Sequence, residues 1–139
     1  MKIVVDTSLL IDFTRKRKSG KENFLWIKLV EYAKKEKHQL LLSPVVIFEF
    51  FSGEEMKKPE NQKKAEEILK DFVPVSFDSE IAKGAATLLR DSNNRGGTID
   101  YLIAATAISV NGELATLNSK HFKIFDDLKL FDFKKLDKV

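Results

Sequence analysis

The chain has 139 residues, 43% of them hydrophobic and 32% charged, which suits one compact domain over 1–139 and excludes a disordered polymer. It has no cysteine, so disulfide scaffolds and thiolate-held zinc or iron–sulfur centres are excluded, and its two histidines, His38 and His121, are too far apart in sequence to suggest a zinc pair. The net charge of +3 permits a nucleic-acid partner without requiring one.

In chain order, "KIVV" is a short β-branched run that reads as a buried strand ending at Asp6. Asp6 and Asp12 interrupt the apolar character of "MKIVVDTSLLIDFTRKRK", so neither a secretory leader nor a membrane span of about 18 apolar residues is expected. The expectation is a cytoplasmic protein. Thr7 and Ser8 stand where they can cap a short helix through "LLIDFTR", and "RKRKSGK" (Arg15 to Lys21) reads as a basic loop. "ENFLWIKLVEYAKKEK" places Phe24, Ile27, Leu29, Val30 and Ala33 near helical spacing. "QLLLS" is a second strand, followed by Ser43 as N-cap and Pro44 as first helical residue. Glu49 then falls about one turn into a helix, inside the apolar run "VVIFEFF" and with no Lys or Arg within a turn on either side. Either it points into water, or the fold brings something positive to it.

Farther on come an amphipathic helix in "PENQKKAEEILKDF", a third strand in "VPVSF" and a helix in "EIAKGAATLLRDS" capped by Asp78 or Ser79. After the loop "NNRGG", Thr98 caps "IDYLIAATAISV", which Asn111-Gly112 stops. "ELATLN" is a fourth strand, "HFKIF" a helical turn and "LKLFDF" a last strand. Strands alternating with helices predict an α/β fold with a mostly parallel central sheet flanked by helices, as a single domain.

In such sheets ligands bind beyond the carboxyl ends of the strands. That rule selects Asp6, Glu49, Asp100 and Asn118, three carboxylates and an amide. Gathered carboxylates repel one another, and a divalent Mg2+ or Mn2+ relieves the repulsion with oxygen ligands. Two such ions would activate water and stabilise the departing oxygen of a phosphodiester. On this reading the partner of Glu49 is a metal. A plain structural account stands beside each residue: Asp6 as a strand terminator or cap, Asp100 at a helix N-terminus, Asn118 in a turn. Glu49 is the hardest to explain that way. His38 and His121 read as surface residues, and Asp12, Asp78 and Asp91 as helix-surface or capping ones.

The stretches "IVVDTSLLIDF", "LLLSPVVIFEFFSG", "IDYLIAATAI" and "LATLNSKHF" resemble, in order and over nearly the whole chain, the PIN-domain family. Within it they resemble the VapC-type toxin ribonucleases of prokaryotic toxin–antitoxin modules. The resemblance implies a parallel sheet flanked by helices and cleavage of RNA with Mg2+ or Mn2+. It implies metal ligands at Asp6, Glu49 and Asp100, with Asn118 at a fourth position held by aspartate in many members and asparagine in others. Ser8 matches a polar position that supports the ligands or touches substrate. The neutral Asn118 is the departure to note, since it lowers the charge available for a second ion.

The same resemblance implies an antitoxin protein as partner and a homodimer. Arg15, Lys16, Arg17 and Lys18 of the basic loop could flank the cleft and contact phosphates; a solvated charge run accounts for them equally. The apolar surroundings of Glu49, with Phe50 and Phe51, could seat an antitoxin, or serve the chain's own core or a dimer interface. The competing class is a catalytically silent PIN-fold module that binds RNA or protein. A phosphoacceptor domain would need an acidic pair ending strand one and an aspartate ending strand three, where "VVDTS" and "VSF" stand. An aspartate-nucleophile phosphatase would need a second aspartate at Ser8.

Overall fold

The computed structural model of the chain describes residues 1–15, 25–93 and 97–138. The basic residues Lys16, Arg17, Lys18 and Lys21, with Phe24 and part of the "NNRGG" loop, lie outside them, and Arg15 is placed by its backbone as the end of a helix.

Five strands, β1 (Lys2–Val5), β2 (Gln39–Leu42), β3 (Val73–Pro74), β4 (Glu113–Ala115) and β5 (Lys129–Leu130), form one sheet in the order β3-β2-β1-β4-β5. Every pairing is parallel, as the alternation of strands and helices predicts. Ile3, Val4 and Val5 are all fully buried, which explains the unbroken apolar run: a central parallel strand is covered on both faces. The strand order reverses between β1 and β4, so the crevice beyond their carboxyl ends is the switch point where ligands bind in open α/β sheets.

The helices are α1 (Thr7–Arg15), α2 (Leu25–Glu36), α3 (Pro44–Phe51), α4 (Pro59–Leu69), α5 (Ser79–Asp91), α6 (Thr98–Ser109) and α7 (Ser119–Phe122), with 3₁₀ turns at Glu54–Lys57 and Phe133–Lys138. Helix α3 begins as the sequence predicts: Ser43 Oγ accepts from the Val45 amide at 3.2 Å and Pro44 is the first helical residue. Its apolar run divides. Val46 and Phe50 enter the core, Ile47 and Phe51 are half-buried, and Phe48 stands 68% exposed. Asp78 caps α5 by accepting from the Ile81 amide at 2.9 Å.

Helix α6 runs through the middle of the molecule, packing on α5, α3, β1 and β4, and its Ala104, Ala105 and Ala107 are buried. Small side chains there let neighbouring backbones approach. Its N-cap is Gly97, not Thr98, which is the first helical residue. At its other end the Asn111 amide bonds to Ile108 O and the Gly112 amide to Ala107 O, while Asn111 adopts φ 54°. This is a Schellman stop with asparagine in the left-handed position. Gly112 answers a different need: a Cβ there would lie 2.9 Å from the Lys2 carbonyl oxygen.

Three strands are shorter than the sequence suggests. β3 keeps only two residues of "VPVSF"; it is an edge strand, and Pro74 has no N–H to extend the ladder. β4 ends at Ala115 because Thr116 onward turns: the Asn118 amide bonds to Thr116 Oγ1. β5 is Lys129–Leu130, and "FDF" after it leads into the C-terminal 3₁₀ turn. His38 is half-buried beside the Tyr32 ring, less exposed than the sequence suggests.

Candidate active site

Asp6 follows β1 at the switch point. Its amide donates to Ala115 O at 2.9 Å, the last rung between β1 and β4, and its side chain is nearly buried. Oδ1 accepts from the Thr7 amide at 2.8 Å, while Oδ2 accepts from Ser8 Oγ at 2.9 Å and Thr116 Oγ1 at 2.7 Å. Three donors thus hold one buried carboxylate where α1 begins. Thr7 and Ser8 do not cap α1, as the sequence suggested; they are its first two residues and turn their hydroxyls to the acids.

Glu49 is carried in by α3, which touches both α1 and α6. Its Oε1 accepts from Thr7 Oγ1 at 2.7 Å, so the fold does bring it a protein partner, a neutral hydroxyl. Asp100, in the first turn of α6, has His121 Nδ1 3.7 Å from its Oδ2. Its carboxyl is held above the ordinary aspartate range, first by burial and then by the charge of Asp6, against the opposing effects of His121 and the Gly97 backbone. His121 is exposed, as expected, but it sits on the lip of the site.

One cleft of about 330 Å³ is lined by Asp6, Thr7, Ser8, Glu49, Asp100 and Asn118, with Ile11 and Leu117 as its apolar parts. The four positions chosen from strand ends therefore meet, and Ser8 meets them. The structure adds Thr7, Thr116 and His121, which the sequence reading left out. Thr116 had a signal. Val5 pairs with Ala115, so the residue after each strand, Asp6 and Thr116, falls side by side once β1 and β4 are taken as parallel neighbours.

The donor set fits a hard divalent cation. Every polar side chain lining the cleft is a carboxylate, hydroxyl or amide able to offer oxygen, no Lys or Arg lines it among the described residues, and Asp6 raises the cost of ionising Asp100. Among the described residues, no three His, Asp or Glu groups stand close enough together to cage an ion unaided.

Comparison with known proteins agrees with this architecture. The chain matches the PIN domain over residues 3–128 and belongs to the PIN-domain family. It is 34% identical to Ribonuclease VapC1 of Methanocaldococcus jannaschii over 141 residues, spanning 99% of this chain and 88% of the relative. Among solved structures it resembles a chain of VapBC2 from Rickettsia felis, bound to a promoter DNA fragment, with a TM-score of 0.78 at 24% identity over 94% of this chain and 98% of that one. It also resembles a toxin–antitoxin complex from Klebsiella pneumoniae, with a TM-score of 0.64 at 25% identity over 91% and 94% of the two chains.

Proposed function

We propose that this chain is a metal-dependent endoribonuclease acting as the toxin of a toxin–antitoxin module in the cytoplasm. The observation that carries the reading is the meeting of Asp6, Glu49, Asp100 and Asn118 in one cleft at the switch point of the sheet. Full-length similarity to a VapC ribonuclease supports it.

Asp6, Glu49 and Asp100 would hold Mg2+ or Mn2+, with the Asn118 amide and water completing the ligand set. When bound, the ion lowers the pKa of a water and offsets charge on the phosphodiester. The protein's own part is orientation. The Thr7 amide and the hydroxyls of Ser8 and Thr116 fix the Asp6 carboxylate, and the Thr7 hydroxyl fixes Glu49. Asn118, being neutral, orients more than it attracts. Arg15, which ends α1, and Lys16, Arg17 and Lys18, which come next in the sequence, would meet the phosphates of an RNA strand.

The antitoxin partner is supported by the likeness to the Klebsiella complex. A groove of about 360 Å³, lined by apolar Leu42, Ile47, Phe51, Leu69, Phe72 and Pro74 and by charged Glu66 and Lys70, adjoins the exposed Phe48 and offers a seat for it. A homodimer belongs to the same reading. Among the described residues no helix is long and apolar enough to cross a membrane.

The test is cleavage of mixed RNAs by the metal-free protein with and without added Mg2+ or Mn2+. Products that depend on the ion and vanish with chelator support the enzyme. Cleavage that persists in chelator refutes the metal mechanism, and RNA binding without cleavage under any ion gives the silent module instead.

A further inference from the structure

We propose that Thr116 is a positioning residue that delivers Asn118 to the cleft by tying its backbone to Asp6. A backbone N–H can only donate, so at 2.9 Å from the Asn118 amide the Thr116 oxygen must accept. Its single proton is then given to Asp6 Oδ2, 2.7 Å away. Ser8 repeats the arrangement one residue earlier: it accepts from the Leu117 amide at 3.0 Å and gives its proton to the same Oδ2 at 2.9 Å. With both protons so used, none is left for the 3.5 Å approach between the two hydroxyl oxygens.

Two consecutive amides of the turn after β4 are therefore held by hydroxyls that converge on one carboxylate oxygen. Thr116 is buried, whereas Asn118 is exposed and has no side-chain capping bond to steady it. What places Asn118 beside the three acids is the backbone bond to Thr116. The two hydroxyls also occupy Oδ2, which leaves Oδ1, with the Thr7 amide as its one donor among the described residues, the oxygen of Asp6 with a lone pair to spare.

The metal and activity parts of the test rest on the nuclease reading; the exchange part does not. Thr116→Val keeps the side chain's shape and removes both bonds, and Thr116→Ser keeps both. In the full, metal-free chain, hydrogen exchange at the Asn118 amide should quicken at least about tenfold in Thr116→Val and stay near the parent rate in Thr116→Ser, with the Leu117 amide, held by Ser8, changing less. Mn2+ affinity of Thr116→Val should fall about tenfold, the usual cost of losing a group that orients a ligand. On RNA, kcat should fall with KM little changed, and adding Asn118→Ala to Thr116→Val should cost less than twofold more.

Parent-like exchange at Asn118 in Thr116→Val, or equal damage from the serine variant, overturns the inference. So does full additivity with Asn118→Ala. Should Thr116→Val fail to fold, Thr116→Cys, a weak donor of similar bulk, gives the same readings. A protein that cuts no RNA yet shows the exchange change keeps this inference and loses the nuclease reading. Metal-dependent cleavage untouched by Thr116→Val does the reverse.

Discussion

Thr7 donates its hydroxyl to Glu49 Oε1 at 2.7 Å, joining the first residue of α1 to a carboxylate 42 positions along the chain. Its backbone amide meanwhile holds Asp6 Oδ1. One residue thus bonds to two of the three acids.

Glutamine at Glu49 preserves an acceptor for Thr7 and removes only the charge. Glu49→Gln should therefore leave the metal-free protein within about 0.5 kcal/mol of the parent, while on the proposed metal reading RNA cleavage should fall by roughly 10²-fold for want of a charged ligand. Urea denaturation in chelator, beside a cleavage assay, measures both. A marked loss of metal-free stability would mean that the charge itself has a protein partner.

How much of this was legible in the sequence is clear at Glu49. Its placement followed from Ser43, Pro44 and the strand before them, because capping and helix propagation are local. Its partner did not, because a hydroxyl on α1 reaches α3 only through tertiary packing. Asp6, Asp100 and Asn118 were found the same way, as ends of elements. Thr116 was lost because "ELATLN" was read as strand to its end, which hid the turn that makes Thr116 an acceptor for Asn118. Thr98 was mistaken for a cap because a threonine before a helix ordinarily is one; here Gly97 holds that place. The basic residues Lys16 to Lys18 lie outside the described residues, so their part stays with the proposal.

Asp100 gives a dependence on pH. Its folded carboxyl sits above the unfolded value near 3.9, so the folded state prefers the protonated form. Below both values it contributes nothing. As pH rises past about 4 the unfolded chain ionises first, and stability falls until the folded carboxyl has ionised too. Asp100→Asn removes that penalty. The metal-free variant should melt a few degrees above the parent at pH 7, with the gap closing on acidification below about pH 4. Melting curves in chelator across this range decide it, and a gap that widens in acid would sink the account.

Asn118 tests the ligand set. If the three acids hold the ion as proposed, Asn118→Ala should reduce cleavage less than Asp100→Ala, which would remove a charged ligand, and Asn118→Asp should tighten Mn2+ binding by adding charge at the same reach. Rates and Mn2+ titrations of the three variants give the ranking. If Asn118→Ala were as damaging as Asp100→Ala and Asn118→Asp left affinity unchanged, Asn118 would belong to substrate binding alone.

Two glycines should respond oppositely to alanine. At Gly112 the new Cβ meets the Lys2 carbonyl oxygen at 2.9 Å, a backbone atom fixed in the central strand, so the variant should lose about 1–3 kcal/mol. At Gly84, inside α5, the nearest atom is Ala105 Cβ at 3.9 Å, an ordinary contact, so alanine should gain about 0.5–1 kcal/mol of helix propensity. Urea midpoints that moved the same way for both would contradict the packing described for α6 and β1.

The bond between Asp6 and Thr116 spans 110 positions of the chain. Asp6 leaves the ribosome early and Thr116 late, about 6–22 s afterwards at ordinary rates of synthesis. Until then β1 lacks its neighbour β4 and the cleft has one wall missing. The cleft is therefore finished only when nearly the whole chain has been made, so a nascent chain still on the ribosome presents no completed site to anything beside it.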